Sequence, residues 1–231
     1  MTSSRLWVLF DIDETLMDHG AAFRAGTAAL HRGSGVTGDE AQFLTRWSEA
    51  HERNFDRFLA GEITFEEQRR RRVRETIDGG LTDAEAERFF QLYVDAYEDA
   101  WALHADAVLC LDALAAHPLG VVSNGQSEQQ RSKLARLGIA DRFKHVTISQ
   151  DCGIAKPDAR IFARACGECG VDPRAAVYVG DRYEVDAQAA RRAGLIGVWL
   201  DRGRVASLRH EGPLIHSLAD LPALIERLPV A

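Results

Sequence analysis

At 231 residues, with 46% hydrophobic and 27% charged residues, the chain suits one sizeable α/β core with an inserted module. Its composition is that of a soluble globular protein, not a disordered, collagenous or coiled one. Lys and Arg number 28 against 35 Asp and Glu, a formal charge of −7, which argues against nonspecific nucleic-acid binding. A phosphate site on such a chain must be made positive locally, by a metal, a lysine or backbone N–H groups.

The first element, Leu6-Trp7-Val8-Leu9-Phe10, is a continuous apolar run that ends abruptly in acid, as a buried strand does. Asp11 and Asp13 follow it. On an extended segment, residues two apart share a face, so both carboxylates could meet one ligand. Two carboxylates so close repel unless a cation or proton lies between them. A solvated turn would explain either aspartate alone.

From about Asp18 to Asp99 no strand pattern occurs. Phe43, Trp47, Phe55, Phe58 and Leu59 recur with helical spacing, as do Phe89, Phe90, Tyr93, Val94 and Tyr97. Start signals stand at Thr37 to Glu40, Thr64 and Thr82-Asp83. The aromatics read as the core of an all-helical module inserted after the first strand. The run Arg69 to Arg74 is flanked at helical distances by Glu62, Glu66, Glu67 and Glu75, which predicts a solvated, ion-paired face.

The strand rhythm then resumes. Leu119 to Val122 runs into Ser123-Asn124-Gly125, which offer a hydroxyl, an amide and backbone N–H groups suited to phosphate oxygens. A helix is predicted over Glu128 to Leu137, with Leu134 and Leu137 on one face. His145 to Ile148 is a further strand, followed by Lys156, the one cation of the group. A helix is predicted from Arg160 to Gly167, and Cys166-Gly-Glu-Cys169 at its end lacks a second Cys/His pair for zinc; the four cysteines read as reduced thiols. Ala176 to Val179 ends at Gly180-Asp181, with Asp186 at the start of a helix to Ala193. Ile196 to Leu200, a short strand at Pro213 to His216 and a helix from Asp220 complete the predicted core. Alternating strands and helices predict a Rossmann-like parallel sheet with ligands beyond its carboxyl ends. The chain thus divides into an α/β core, residues 1–17 and 100–231, and a helical cap, residues 18–99. No apolar run approaches the ~20 residues that span a bilayer, and no leader pattern opens the chain. We expect a cytoplasmic protein without membrane or nucleic-acid partners, monomeric or homodimeric.

Asp-x-Asp, Ser-Asn, Lys-Pro and Gly-Asp-x₄-Asp, each beyond a strand and in this order, resemble the four motifs of the haloacid dehalogenase superfamily along essentially the whole chain. The helical insert resembles the cap that one branch of that family places after its first strand. The resemblance implies that Asp11 attacks phosphorus to give an aspartyl-phosphate and that Asp13 exchanges acid and base roles. It also implies Mg²⁺ held by the Asp11 carboxylate, the Asp13 carbonyl and Asp181, with Asp186 directly or through water. Ser123 and its neighbours, Asn124 and Gly125, would bind phosphoryl oxygens, and Lys156 would stabilise charge. Family dehalogenases generally lack an aspartate at the position of Asp13, which favours phosphate esters. Phosphonatases use a cap lysine, and residues 18–99 contain none. The expected activity is hydrolysis of a small phosphorylated metabolite; a phosphomutase, a 2-haloacid dehalogenase-like hydrolase and a phospho-receiver are the alternatives. Arg182 departs from the Ser or Thr the family often has there, and is either a solvated neighbour or a substrate contact. His19, Phe23, Arg24 and Gln126 are candidates for the substrate entrance.

Overall fold

The computed structural model describes residues 5–204 and 210–228; the parts of the predicted core at 1–4, 205–209 and 229–231 lie outside the described residues. Strand β1 (Trp7–Phe10) is followed by four helices, α1 (His19–Ser34), α2 (Glu40–Leu59), α3 (Phe65–Thr76) and α4 (Asp83–Asp99). Next come α5 (Ala107–Ala113), β2 (Leu119–Ser123), α6 (Ser127–Arg136), β3 (His145–Ile148), α7 (Ser149–Cys152) and α8 (Ala159–Cys169). The chain then runs through β4 (Ala176–Gly180), a π-helical segment Tyr183–Gln188 continuing into α9 (Ala189–Arg192), β5 (Ile196–Leu200), β6 (Leu214–Ile215) and α10 (Leu221–Ile225). Two compact units result: Met1–Asp18 with Leu103–Ala231, and His19–Ala102.

The first unit is a six-stranded parallel sheet in the order β3-β2-β1-β4-β5-β6. Val8, Leu9, Phe10, Val121, Val122, Val177, Tyr178 and Val179 are wholly buried, because a parallel sheet covered on both faces needs apolar residues pointing both ways. This explains why its strands appear in the sequence as continuous apolar runs. Strand β1 is central, and the connections run outward from it in opposite senses. Such a switch point opens a crevice beyond the strand ends, where α/β sheets bind ligands.

The second unit is all helical. Thr64 and Thr82 cap α3 and α4, the latter in a reciprocal capping box with Glu85. Its core is aromatic: the Trp47 ring lies 5.0 Å from Tyr93 and 6.0 Å from Phe90. The arginine run is not uniformly solvated. Arg70 and Arg71 pair with Glu67, and Arg74 with Asp83, as expected of an outer face. Arg72 is buried, its guanidinium 4.2 Å above the Trp47 ring, with Nε and Nη2 unbonded among the described residues. Gln68 and Thr76, one turn either side, are buried too, so a polar stripe of α3 faces inward. His19 lies 3.0 Å from the Tyr97 hydroxyl, Phe23 packs 6.0 Å from Tyr93, and Arg24 is exposed.

Candidate active site

The register sets Phe10 beside Val121 of β2 and Val179 of β4, so the residues leaving all three strands converge. Oxygens of Asp11, Asp181 and Asp186 lie within 4.8 Å of one another. Asp186 reaches this group because the π-helical turn carries it back over the end of β4. There its Oδ2 accepts from the Arg182 backbone N–H at 3.0 Å. Gly180 permits the approach: a Cβ there would stand 2.4 Å from the Asp186 carboxyl carbon. Arg182 itself is exposed.

Lys156 is buried against this cluster. Its Nζ lies 2.8 Å from Asp11 Oδ1 and 2.7 Å from Asp186 Oδ1, and donates to the Tyr178 hydroxyl at 2.8 Å. Tyr178 in turn donates to the Val122 carbonyl at 2.9 Å. Burial opposes the charge on Lys156, but Asp11 and Asp186 outweigh it and hold the ammonium firmly protonated. Burial raises the Asp11 carboxyl to about 6, with Lys156 opposing and Asp186 and Asp13 adding to the rise. Asp181 is raised to about 8, first by burial and then by Asp11 and Asp186. Three carboxylates around one point with a single ammonium are underbalanced. A hard, oxygen-seeking divalent cation is the group that such a donor set fits.

Asp13 leaves this cluster by a different route. The chain turns at Glu14, whose φ of 60° is left-handed. The Asp13 carboxylate accepts from Lys133 Nζ at 2.7 and 2.9 Å and from Gln130 Nε2 at 3.1 Å. The same Gln130 nitrogen lies 2.8 Å from Ser123 Oγ. Sequence reasoning missed Gln130, Lys133 and Tyr178. A signal did exist for two of them: Gln130, Lys133, Leu134 and Leu137 have i, i+3, i+4, i+7 spacing, so two polar residues occupy a core-facing stripe.

The residues after β2 separate in role. Ser123 is buried beside Gln130. The Asn124 side chain is engaged at both ends with the Lys156 backbone, donating to its carbonyl at 2.9 Å and accepting from its N–H at 2.8 Å. The Gly125 N–H donates to Ser149 Oγ at 2.9 Å. The Asn124 amide and the Gly125 N–H, expected on phosphate oxygens, therefore brace the loop of Lys156 and the start of α7. Gln126, expected at the entrance, caps α6 by accepting from the Gln129 N–H.

Known proteins place the chain. A family model described as haloacid dehalogenase-like hydrolase matches residues 7–194. A phosphoserine phosphatase of Thermus thermophilus is 33% identical over 89% of this chain and 91% of that protein. A glyceraldehyde 3-phosphate phosphatase of Methanopyrus kandleri is 45% identical, but the match spans only 37% of each chain. Among solved structures, a 2-haloacid dehalogenase of Pseudomonas syringae pv. Tomato is 28% identical with a TM-score of 0.73, covering 96% of this chain and 99% of that one. With a family model over residues 7–194 and a relative matched along nine-tenths of its length, the chain belongs to the haloacid dehalogenase-like hydrolases.

Proposed function

We propose that the chain is a Mg²⁺-dependent phosphatase of a small phosphorylated metabolite, acting through a covalent intermediate on Asp11. The observation that carries this reading is the Lys156 ammonium held between Asp11 and Asp186, in a cluster of three carboxylates that this single cation does not neutralise. A divalent cation held by Asp11, Asp181, Asp186 and the Asp13 carbonyl would supply positive charge to an approaching phosphate dianion.

The chain's own groups account for the rest. An Asp11 carboxylate oxygen forms a bond to phosphorus as the bond from phosphorus to the ester oxygen breaks, and Asp13 gives that oxygen its proton. A water then attacks phosphorus and loses its proton to Asp13. The bond to Asp11 breaks, leaving free phosphate and the original carboxylates. Lys156 stabilises the negative charge on Asp11 and the transferred group throughout. The Ser123 hydroxyl accepts from the Gln130 N–H at 2.8 Å and donates to the Asn124 carbonyl at 3.4 Å, a long hydrogen bond that it can exchange for one to a phosphoryl oxygen.

Relatives over most or part of the chain are named for phosphoserine, glyceraldehyde 3-phosphate and, in Escherichia coli, pyrimidine 5′-nucleotides. These esters, with sugar phosphates and phosphoglycolate, form the substrate panel. Mg²⁺-dependent phosphate release from at least one of them, lost in Asp11→Asn, is the expected result. Full activity in that variant would sink the nucleophile assignment.

Carbon–halogen hydrolysis is the second reading, favoured by the 28% identity to the Pseudomonas dehalogenase. Asp13, held ready by Lys133, has no leaving alcohol to protonate in that reaction. Halide release from 2-chloropropionate, with no phosphate release from the panel, would establish the second reading over the first.

A further inference from the structure

Gln130 and Lys133 stand three residues apart on α6, so they lie on one face of that helix. Both are buried: Lys133 is 2% exposed and Gln130 1%. A lysine is rarely so enclosed unless its charge is paired. Here the ammonium spans both oxygens of Asp13, at 2.7 and 2.9 Å, while Gln130 reaches Asp13 Oδ2 at 3.1 Å and Ser123 Oγ at 2.8 Å. An aspartate carboxylate on its own rotates freely about its last torsion. Three N–H contacts from one rigid helix remove that freedom, and the shared Gln130 nitrogen fixes the carboxylate relative to the Ser123 hydroxyl.

We propose that Gln130 and Lys133 are positioning residues that hold the Asp13 carboxylate at the leaving-group oxygen while Ser123 holds the phosphoryl group. This role rests on the phosphatase reading above. Neither residue need touch the substrate: their contacts to Asp13 and Ser123 suffice for the role.

The role has a signature that plain scaffolding lacks. A leaving group that departs unaided, as p-nitrophenolate does, has little need of Asp13 in the first step, whereas an alkoxide needs its proton. The value of kcat/KM reports that first step. Lys133→Met should therefore lower kcat/KM for glycerol phosphate by at least about tenfold more than for p-nitrophenyl phosphate, within the usual range for general acid catalysis. Lys133→Arg, which keeps a buried cation on the same helix, should recover part of the loss. Gln130→Leu should shift the same ratio in the same direction, and it serves as the test should Lys133→Met fail to fold. Equal losses on the two esters in a folded variant, with wild type active, would overturn the positioning role and leave the phosphatase reading intact. A wild type that releases phosphate from neither ester nor from the panel would overturn both. An Asp13→Asn variant that shows no leaving-group preference would remove the acid itself, and the positioning role with it.

Discussion

Lys156 Nζ lies 2.8 Å from Asp11 Oδ1 in a site where both side chains are about nine-tenths buried or more. The same nitrogen holds Asp186 at 2.7 Å, so two buried carboxylates share one lysine. Removing one partner of a buried ion pair leaves an uncompensated charge and costs roughly 3–5 kcal/mol. Lys156→Met should destabilise metal-free protein by about that amount in denaturant titrations. Activity should fall below detection. A variant as stable as wild type would show that the pair is not formed in solution.

Metal and pH should act together. Asp11 is raised to about 6 and Asp181 to about 8, whereas an unfolded aspartate titrates near 3.9. Between these values the folded, metal-free protein keeps protons that the unfolded chain has released. The stability these groups contribute is therefore complete below about pH 4 and is lost as pH rises through about 6 and about 8. A cation favours the deprotonated cluster. The rise in Tm on adding Mg²⁺ should thus grow between about pH 5 and about pH 8.5, and should vanish in Asp181→Asn. A rise that shrinks with increasing pH would contradict the cluster as described.

Gly180 offers a test without removing any charge. Its hypothetical Cβ meets Asp186 Cγ at 2.4 Å and Cβ at 2.5 Å, too close for a side chain anchored by Lys156 and the Arg182 N–H. Gly180→Ala should push Asp186 out of the cluster and raise the Mg²⁺ concentration needed for half-maximal activity by roughly tenfold, as outer partners of metal ligands do. Unchanged Mg²⁺ activation would mean that Asp186 plays no part in holding the metal.

Arg72 tests the helical unit separately. Burial lowers its pKa, and its Nε and Nη2 have no hydrogen-bond partner among the described residues, while its guanidinium rests on Trp47. Arg72→Ala removes the packing and should cost roughly 2–4 kcal/mol. Arg72→Met keeps much of the volume and sheds the desolvated charge, so its cost should stay below about 1.5 kcal/mol. Thermal unfolding of both variants distinguishes packing from charge; equal losses would assign the whole effect to the cation.

The strands and their terminal polar residues were legible because burial on both faces forces apolar runs, and the residue that ends each run is therefore conspicuous. Asp11, Ser123 and Asp181 stand out in this way; Lys156, beyond α7, stands out only as the one cation of the ordered set. What escaped notice depended on rotation about a helix axis. In the sequence Arg72 reads with its neighbours as solvated, although Gln68, Arg72 and Thr76 share the inward stripe of α3. Lys133 was concealed in the same manner on α6. The fates of the Asn124 amide and the Gly125 N–H were beyond the reach of pattern, since both depend on partners at Lys156 and Ser149, 32 and 24 residues away.

The most direct test of the account is to catch the covalent intermediate. Asp13→Asn protein, mixed with p-nitrophenyl phosphate, whose leaving group needs no proton, and Mg²⁺, quenched in acid and digested, should yield a peptide containing Asp11 that has gained the mass of one phosphoryl group. The label should disappear on hydroxylamine treatment, as an acyl phosphate does, and should be absent from Asp11→Asn. A phosphoryl group on any other residue, or turnover by wild type with no labelled peptide in any quench, would contradict Asp11 as the nucleophile.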